Sequence, residues 1–310
     1  MPLLHSHFIV RLSERVRSML FLSQIINGLQ LGSIYALVAL GYSMVYGIIM
    51  LLNFAHGDVI MVGGYIATLT IVAGLHPVLG VLCAIVGCTA LGMVIEKVAY
   101  TPLRSAPRIS LLITAIGISM LLQNVIQLLY GANGRSFPNT AIIPAKFFDI
   151  GGLRLGLTNI VTIVVAVIAM VILTILVQKT KMGKAMRAVS EDLGAAQLMG
   201  ININSTITFT FGTGSALAGI GSVLFCCQYA VVNPTMGSML GLKAFVAAVL
   251  GGIGSIPGAM IGGLAIGLLE VLASAVGLST WADAVVFAVL IVVLLVRPAG
   301  IMGRPMIEKV

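Results

Sequence analysis

Three groups of residues in this chain could do chemistry. Asn53, His56 and Asp58 sit together in NFAHGD (53–58), between two apolar runs. Lys243 and Glu270 are isolated charges inside long apolar runs, and Asp283 is another lone acid. The stretch KTKMGKAMRAVSEDLGAAQLMG (179–200) gathers Lys179, Lys181, Lys184, Arg187, Glu191 and Asp192. None of the three makes a catalytic constellation. His5, His7, His56 and His76 have no metal-site spacing with Cys83, Cys88, Cys226 or Cys227. Gly183-Lys184 is followed by Ala185, so the Walker A pattern is missing. GTGSALAG (212–219) and GGIGS (251–255) do not match GxGxxG. The sequence therefore predicts no catalytic residue, no metal site and no cofactor held by this chain.

The elements that must position these groups are membrane helices. Of 310 residues, 59% are hydrophobic and only 8% are charged. Soluble domains average about 45–50% apolar and about 25% charged. Mean hydropathy is +1.15. The expected class is an all-α polytopic membrane protein. A net charge of +8 would suit a nucleic-acid partner in a soluble chain; here basic cytoplasmic loops explain it, and no nucleic acid is expected. Glycine spacings at Gly28/Gly32, Gly258/Gly262 and Gly263/Gly267 predict close helix packing.

Residues 1–17, with Arg11, Arg15 and Arg17, read as a cytoplasmic lead. The membrane domain spans 18–297. Its first crossings are 18–39 and 41–55, followed by two more between 59 and 95. Glu96, Lys97, Arg104 and Arg108 then mark an inside loop. After a crossing at 109–130, residues 131–157 form the main external loop, rich in Gly, Asn and Pro. A crossing at 158–178 leads to the polar loop 179–204, another at 206–228 leads outward, and three more reach 296. Residues 298–310 form a cytoplasmic tail. At about 20 apolar residues per crossing this gives about 8 to 10 transmembrane helices, with both termini cytoplasmic.

Within that frame, NFAHGD is read as a cytoplasmic turn, with Asp58 opening the next helix where the dipole favours an acid. The competing reading makes Asn53, His56 and Asp58 candidates for a substrate path, because ionisable groups are costly in lipid. Lys243 and Glu270 read as a structural ion pair between neighbouring spans, or as charges snorkelling to opposite interfaces. In the polar loop, Ser190 is expected to cap a helix with Glu191 and Asp192 in its first turn. Gly200 is expected to stop that helix. The pair Ala195-Ala196 would let a partner approach the backbone closely.

Gly194-Ala195-Ala196, three further residues and Gly200 resemble the coupling loop of bacterial ABC importer permeases. In that loop a Glu-Ala-Ala, three residues and a Gly form a short helix seated on an ATPase subunit; here Gly194 stands in place of the Glu. NGLQLGSIYALVALGYSMVYGII (27–49), NFAHGD, LLITAIGISMLLQN (111–124), GLKAFVAAVLGGIGSIPGAMIGG (241–263) and RPAGIMGRP (297–305) narrow the likeness. Together they resemble the permease subunit of the branched-chain amino acid ABC importers, over about residues 20 to 310. The resemblance implies an inverted 5+5 repeat and a bacterial inner-membrane location. It implies a second permease subunit, two ATPase subunits that use ATP and Mg, and an extracytoplasmic binding protein. It assigns ATPase coupling to Glu191, Asp192, Ala195, Ala196 and Gly200. Permeases of the same family for urea, amides or other amino acids are the alternative. An ion-coupled secondary transporter fits less well, because only Asp58, Glu270 and Asp283 could hold a coupling ion.

Overall fold

The computed structural model describes residues 2–50, 53–104, 106–150 and 153–303, with side-chain surroundings from Met19 onward. Helix α1 (Pro2–Ile49) is followed by α2 (His56–Val72), α3 (Pro77–Ile95) and α4 (Arg108–Tyr130). Next come β1 (Arg135–Ser136), α5 (Asn139–Ile142), β2 (Phe147–Ile150) and β3 (Leu153–Gly156). Then α6 (Leu157–Lys179), α7 (Lys181–Glu191), α8 (Leu193–Leu198) and α9 (Ile203–Tyr229) run to β4 (Val231–Val232). The chain ends on α10 (Met236–Gly251), α11 (Ile256–Ala273) and α12 (Ala282–Val296).

Among the described residues, six stretches are long and apolar enough to cross a membrane: 19–49, 77–103, 109–130, 157–179, 203–229 and 256–296. The last is two helices, α11 and α12, separated by a π turn, a 3₁₀ turn and Gly277 at φ +91°. α2 and α10 are shorter apolar helices of 17 and 16 residues. The described residues thus hold nine apolar helical segments.

Two expectations change at the start of the chain. The crossings 18–39 and 41–55 are one helix, because no proline interrupts the run and Gly41 stays helical inside α1. Residues 2–17 of the expected lead are a backward continuation of the same helix.

The same order of elements occurs twice. α1, α2 and α3 are followed by a π turn (Glu96–Tyr100), a 3₁₀ turn (Thr101–Leu103) and α4. α9, α10 and α11 are followed by a π turn (Ser274–Leu278), a 3₁₀ turn (Ser279–Trp281) and α12. The packing partners match as well. α1 lies on α11 as α9 lies on α3; α2 contacts α3, α4 and α9 as α10 contacts α11, α12 and α1. At the centre α1 meets α9 and α2 meets α10. α6 stands in the link between these two sets of helices and packs on α1.

α1 and α9 run in opposite directions. Asn27 of α1 accepts a hydrogen bond from Asn159 at the start of α6, 2.8 Å away, on the face that carries residues 131–157. The far end of α1, Ile48 and Ile49, lies beside Val189 and Asp192 of the α7–α8 region. α9 starts on that second face, where Asn204 bonds Arg104, and ends beside β4. The last described residues also reach the α7–α8 face, where Ile301 and Met302 donate to the carbonyls of Leu250 and Gly251 at 2.9 Å.

The external loop is more ordered than its turn-rich sequence suggests. β2 and β3 form an antiparallel hairpin, and β1 pairs with β4 across the two halves. In the membrane region small residues set the packing. A Cβ on Gly28 would sit 2.9 Å from Leu268 Cδ2, and one on Gly32 would sit 2.8 Å from Leu264 Cα. Such glycines let α1 and α11 approach to backbone contact.

Candidate functional site

The polar loop folds into two helices, not one. Thr180 opens α7, its Oγ1 accepting from the Gly183 amide at 3.0 Å. The chain then extends at Asp192 (φ −157°, ψ 115°), whose Oδ1 accepts from the Ala195 amide at 3.0 Å and so caps α8. The cap is Asp192, not Ser190. Ser190 lies in the last turn of α7 and donates to the Arg187 carbonyl at 2.7 Å. Ser190 sits inside α7, where its backbone is already helical, so it does not begin α8. Glu191 ends α7.

α8 ends as the sequence predicts. Gly200 has φ +79°, with its amide on the Gln197 carbonyl and the Ile201 amide on the Ala196 carbonyl, both at 3.0 Å. That is a Schellman termination, which favours glycine at the left-handed position. Glu191, Asp192, Ala195 and Gly200 are exposed, whereas Ala196 is only 3% exposed and turns toward the body of the protein. The two alanines therefore do not form one outward face. Leu198 and Met199, which were not singled out from the sequence, are 91% and 81% exposed. The signal for them was two apolar side chains beside the stop residue of a polar loop.

NFAHGD is not a solvent-facing turn. Asn53, His56 and Asp58 are all buried, Asp58 to 1% exposure. The Asn53 side-chain carbonyl accepts from the Tyr100 hydroxyl at 3.0 Å, and His56 packs edge-on to Tyr42 with ring centroids 4.8 Å apart. Asp58 lies in the first turn of α2, as expected. It accepts from Ser119 and from Gln123 of α4, the latter at 3.0 Å, and Gln123 also reaches Ser238 of α10 at 3.0 Å. The turn is internal because α2 starts against the beginning of α10, where Gly57, Gly237 and Gly241 bring the two backbones together. Polar backbone and side chains at such a place must be satisfied by protein. The arrangement joins one acid, one amide and two hydroxyls from three helices.

Lys243 and Glu270 are brought together. Lys243 Nζ lies 2.8 Å from Glu270 Oε1 and 2.6 Å from Asp283 Oδ1. Tyr35 donates its hydroxyl to Glu270 Oε2 at 2.8 Å. The sequence pointed to a pair; the structure adds the second acid and the tyrosine.

The inside loop expected around Glu96 is also different. Glu96 is fully buried. It pairs with Arg104 and accepts from the hydroxyls of Thr101 at 2.7 Å and Thr208 at 2.6 Å. The π turn after α3 carries it there, a change of helical pitch that apolar periodicity does not announce. Among the described residues, no group of three or more His, Cys, Asp or Glu side chains could hold a metal ion.

The family described as "Branched-chain amino acid transport system / permease component" matches residues 24–294. The chain is 46% identical to the high-affinity branched-chain amino acid transport system permease protein BraD of Pseudomonas aeruginosa, covering 94% of this chain and 98% of that protein. It is 46% identical to the corresponding permease protein LivH of Escherichia coli K12, with the same coverage. A more distant relative is the probable branched-chain amino acid transport permease protein LivH of Methanocaldococcus jannaschii, 32% identical over 87% of this chain and 89% of its own length. No solved structure matches. The match to the family over most of the chain, its mainly helical architecture and its nearly full-length relatives establish that this chain belongs to the family of permease components of branched-chain amino acid transport systems.

Proposed function

We propose that the chain is a permease subunit that moves leucine, isoleucine and valine inward across a bacterial cytoplasmic membrane, powered by ATP. Its partners are a second permease subunit, two ATPase subunits that bind ATP and Mg, and an extracytoplasmic protein that delivers the amino acid. The α7–α8 face is cytoplasmic on this reading, and the face with the β2–β3 hairpin is extracytoplasmic.

One observation carries the coupling role: α8 is a capped, glycine-terminated helix that presents Leu198 and Met199 outside the membrane helices. Exposed apolar side chains at a helix end favour a protein partner. Glu191, Asp192, Ala195 and Gly200 frame that surface, and Ala196 anchors it from within. Force on α8 reaches the transmembrane region through contacts of α7 with α1, α6 and α9. The buried crossing of α2 and α10, with Asn53, His56 and Asp58 beside it, is the element along which the two halves shift, and Asp58 lies on the substrate path.

The test is reconstitution in liposomes with the ATPases, the second permease and the binding protein. Leucine should accumulate only with ATP and with every subunit present. Accumulation by the permease alone, driven by a proton or sodium gradient, would overturn the proposal.

A further inference from the structure

The Lys243 ion cluster forms part of the wall of a cavity. Its volume is about 320 Å³, and its lining includes Tyr35, Phe225, Tyr229, Met236, Lys243 and Glu270. The cavity lies among the end of α9, the turn after β4 and the start of α10, with Tyr35 of α1 and Glu270 of α11 completing its wall. All of these lie on the β1–β4 side, away from α7 and α8. A structural ion pair would need one acid for one lysine. Lys243 has two, Glu270 and Asp283, so the cluster carries one negative charge in excess. Glu270 is nearly enclosed and faces the cavity, while Asp283 is 44% exposed. Phe225, Met236, Met239 and Leu240 give the same cavity an apolar wall.

We infer that this cavity is a binding site for an aliphatic α-amino acid on the outer side of the permease, its ammonium group held by Glu270. The inference rests on the importer reading above and adds a site to it. Small-molecule sites combine an apolar lining with a few convergent polar groups, and this cavity has that make-up. A zwitterion arriving with its ammonium toward Glu270 would give the excess acid a cationic partner, while the net charge of the cluster stays the same. Lys243, held between the two carboxylates, remains near enough to attract the ligand's own carboxylate. The side chain would lie against Met236, Met239 and Leu240. Tyr35, by donating to one Glu270 oxygen, keeps the carboxylate turned toward the cavity.

The test uses the assembled importer with Met239→Cys in a Cys83→Ser background, since Cys88, Cys226 and Cys227 are buried. A maleimide added from outside labels Met239→Cys at the cavity wall. L-leucine should slow that labelling by about tenfold at a concentration roughly ten times its Kd, because only the empty cavity reacts. The deaminated analogue 4-methyl-2-oxopentanoate should not slow it. Adding Glu270→Gln, which removes the excess charge but keeps the shape, should abolish protection by L-leucine while the complex still elutes as one assembly. Equal protection by leucine and the keto acid, undiminished protection in Glu270→Gln, or equal slowing at a Phe148→Cys control on the hairpin would each overturn the site. ATP-dependent leucine uptake by the wild-type complex is measured in parallel. Uptake without protection removes this site alone, whereas absent uptake removes the importer reading.

Discussion

Gly57 and Gly237 meet backbone to backbone where α2 and α10 begin: a Cβ on either would collide with the carbonyl of the other. The two residues hold matching positions in the two halves, each in the first turn of the second helix. A Cβ on Gly57 would also come within 3.0 Å of Gly241 Cα. The starts of α2 and α10 can share such a contact only if neither carries a side chain there.

Gly57→Ala and Gly237→Ala should therefore each separate the two helices. Forcing an extra methyl group into a packed site typically costs about 1–3 kcal/mol. The expected outcome is a lower melting temperature in detergent for each variant. The double variant should lose less than the sum, because both insert into the same contact. Unchanged melting in both single variants would show that the helices part readily at this point.

The Lys243 cluster makes an unequal prediction for its members. Lys243→Ala leaves Glu270 and Asp283 close together with no cation between them, and should lower the yield of folded protein sharply. Glu270→Ala leaves Lys243 with Asp283 and should be milder. Removing one partner of a buried pair costs about 3–5 kcal/mol when nothing replaces it. Lys243→Ala/Glu270→Ala should be less damaging than the sum of its parts. Monodisperse yield after purification reads all three, and strict additivity would argue against coupling.

What the sequence could reveal follows from the kind of signal each feature sends. Membrane helices are legible because lipid demands long apolar runs, and α3, α4, α6 and α9 lie close to where those runs place them. Gly200 was legible because a left-handed stop has a residue preference. Lys243 and Glu270 stood out as lone charges. Features that depend on what lies opposite were not legible. Asp58 looks the same in sequence whether its turn faces water or, as here, Ser119 and Gln123. The burial of Glu96 depends on a π turn and on Thr208, 112 residues away. Ser190 and Asp192 are both good capping residues, and the extended backbone at Asp192 decides between them.

Glu96 yields a prediction of its own. It is a buried carboxylate whose cation is Arg104. Arg104→Ala should destabilise the protein by about 3–5 kcal/mol, since the charge is left without its partner. Adding Glu96→Gln should recover much of that loss, because the neutral amide can still bond both hydroxyls, its carbonyl accepting from one and its NH2 donating to the other. Thermal unfolding of the two variants beside wild type decides it. No recovery in the double variant would mean that Arg104 acts through Asn204 and not through Glu96.

The coupling surface gives the sharpest contrast between assembly and folding. Leu198→Glu and Met199→Glu place carboxylates on side chains that are already outside the body of the protein, so membrane insertion and thermal stability should be preserved. If those side chains seat in an ATPase subunit, each change desolvates a charge there, and co-purification with the ATPases and ATP-driven uptake should both fall by about tenfold or more. Gly200→Val acts differently. It puts a β-branched residue at φ +79°, costing about 1–2 kcal/mol, and loosens the end of α8 without adding charge. Its uptake should fall less than that of Leu198→Glu. Ala196→Glu would disturb α8 from beneath, because Ala196 is buried against the chain itself. It should reduce stability as well as coupling. Pull-down, uptake and melting temperature measured on all four variants separate the two effects. Normal pull-down and uptake in both Leu198→Glu and Met199→Glu would remove the ATPase from this surface, whatever the other two variants do.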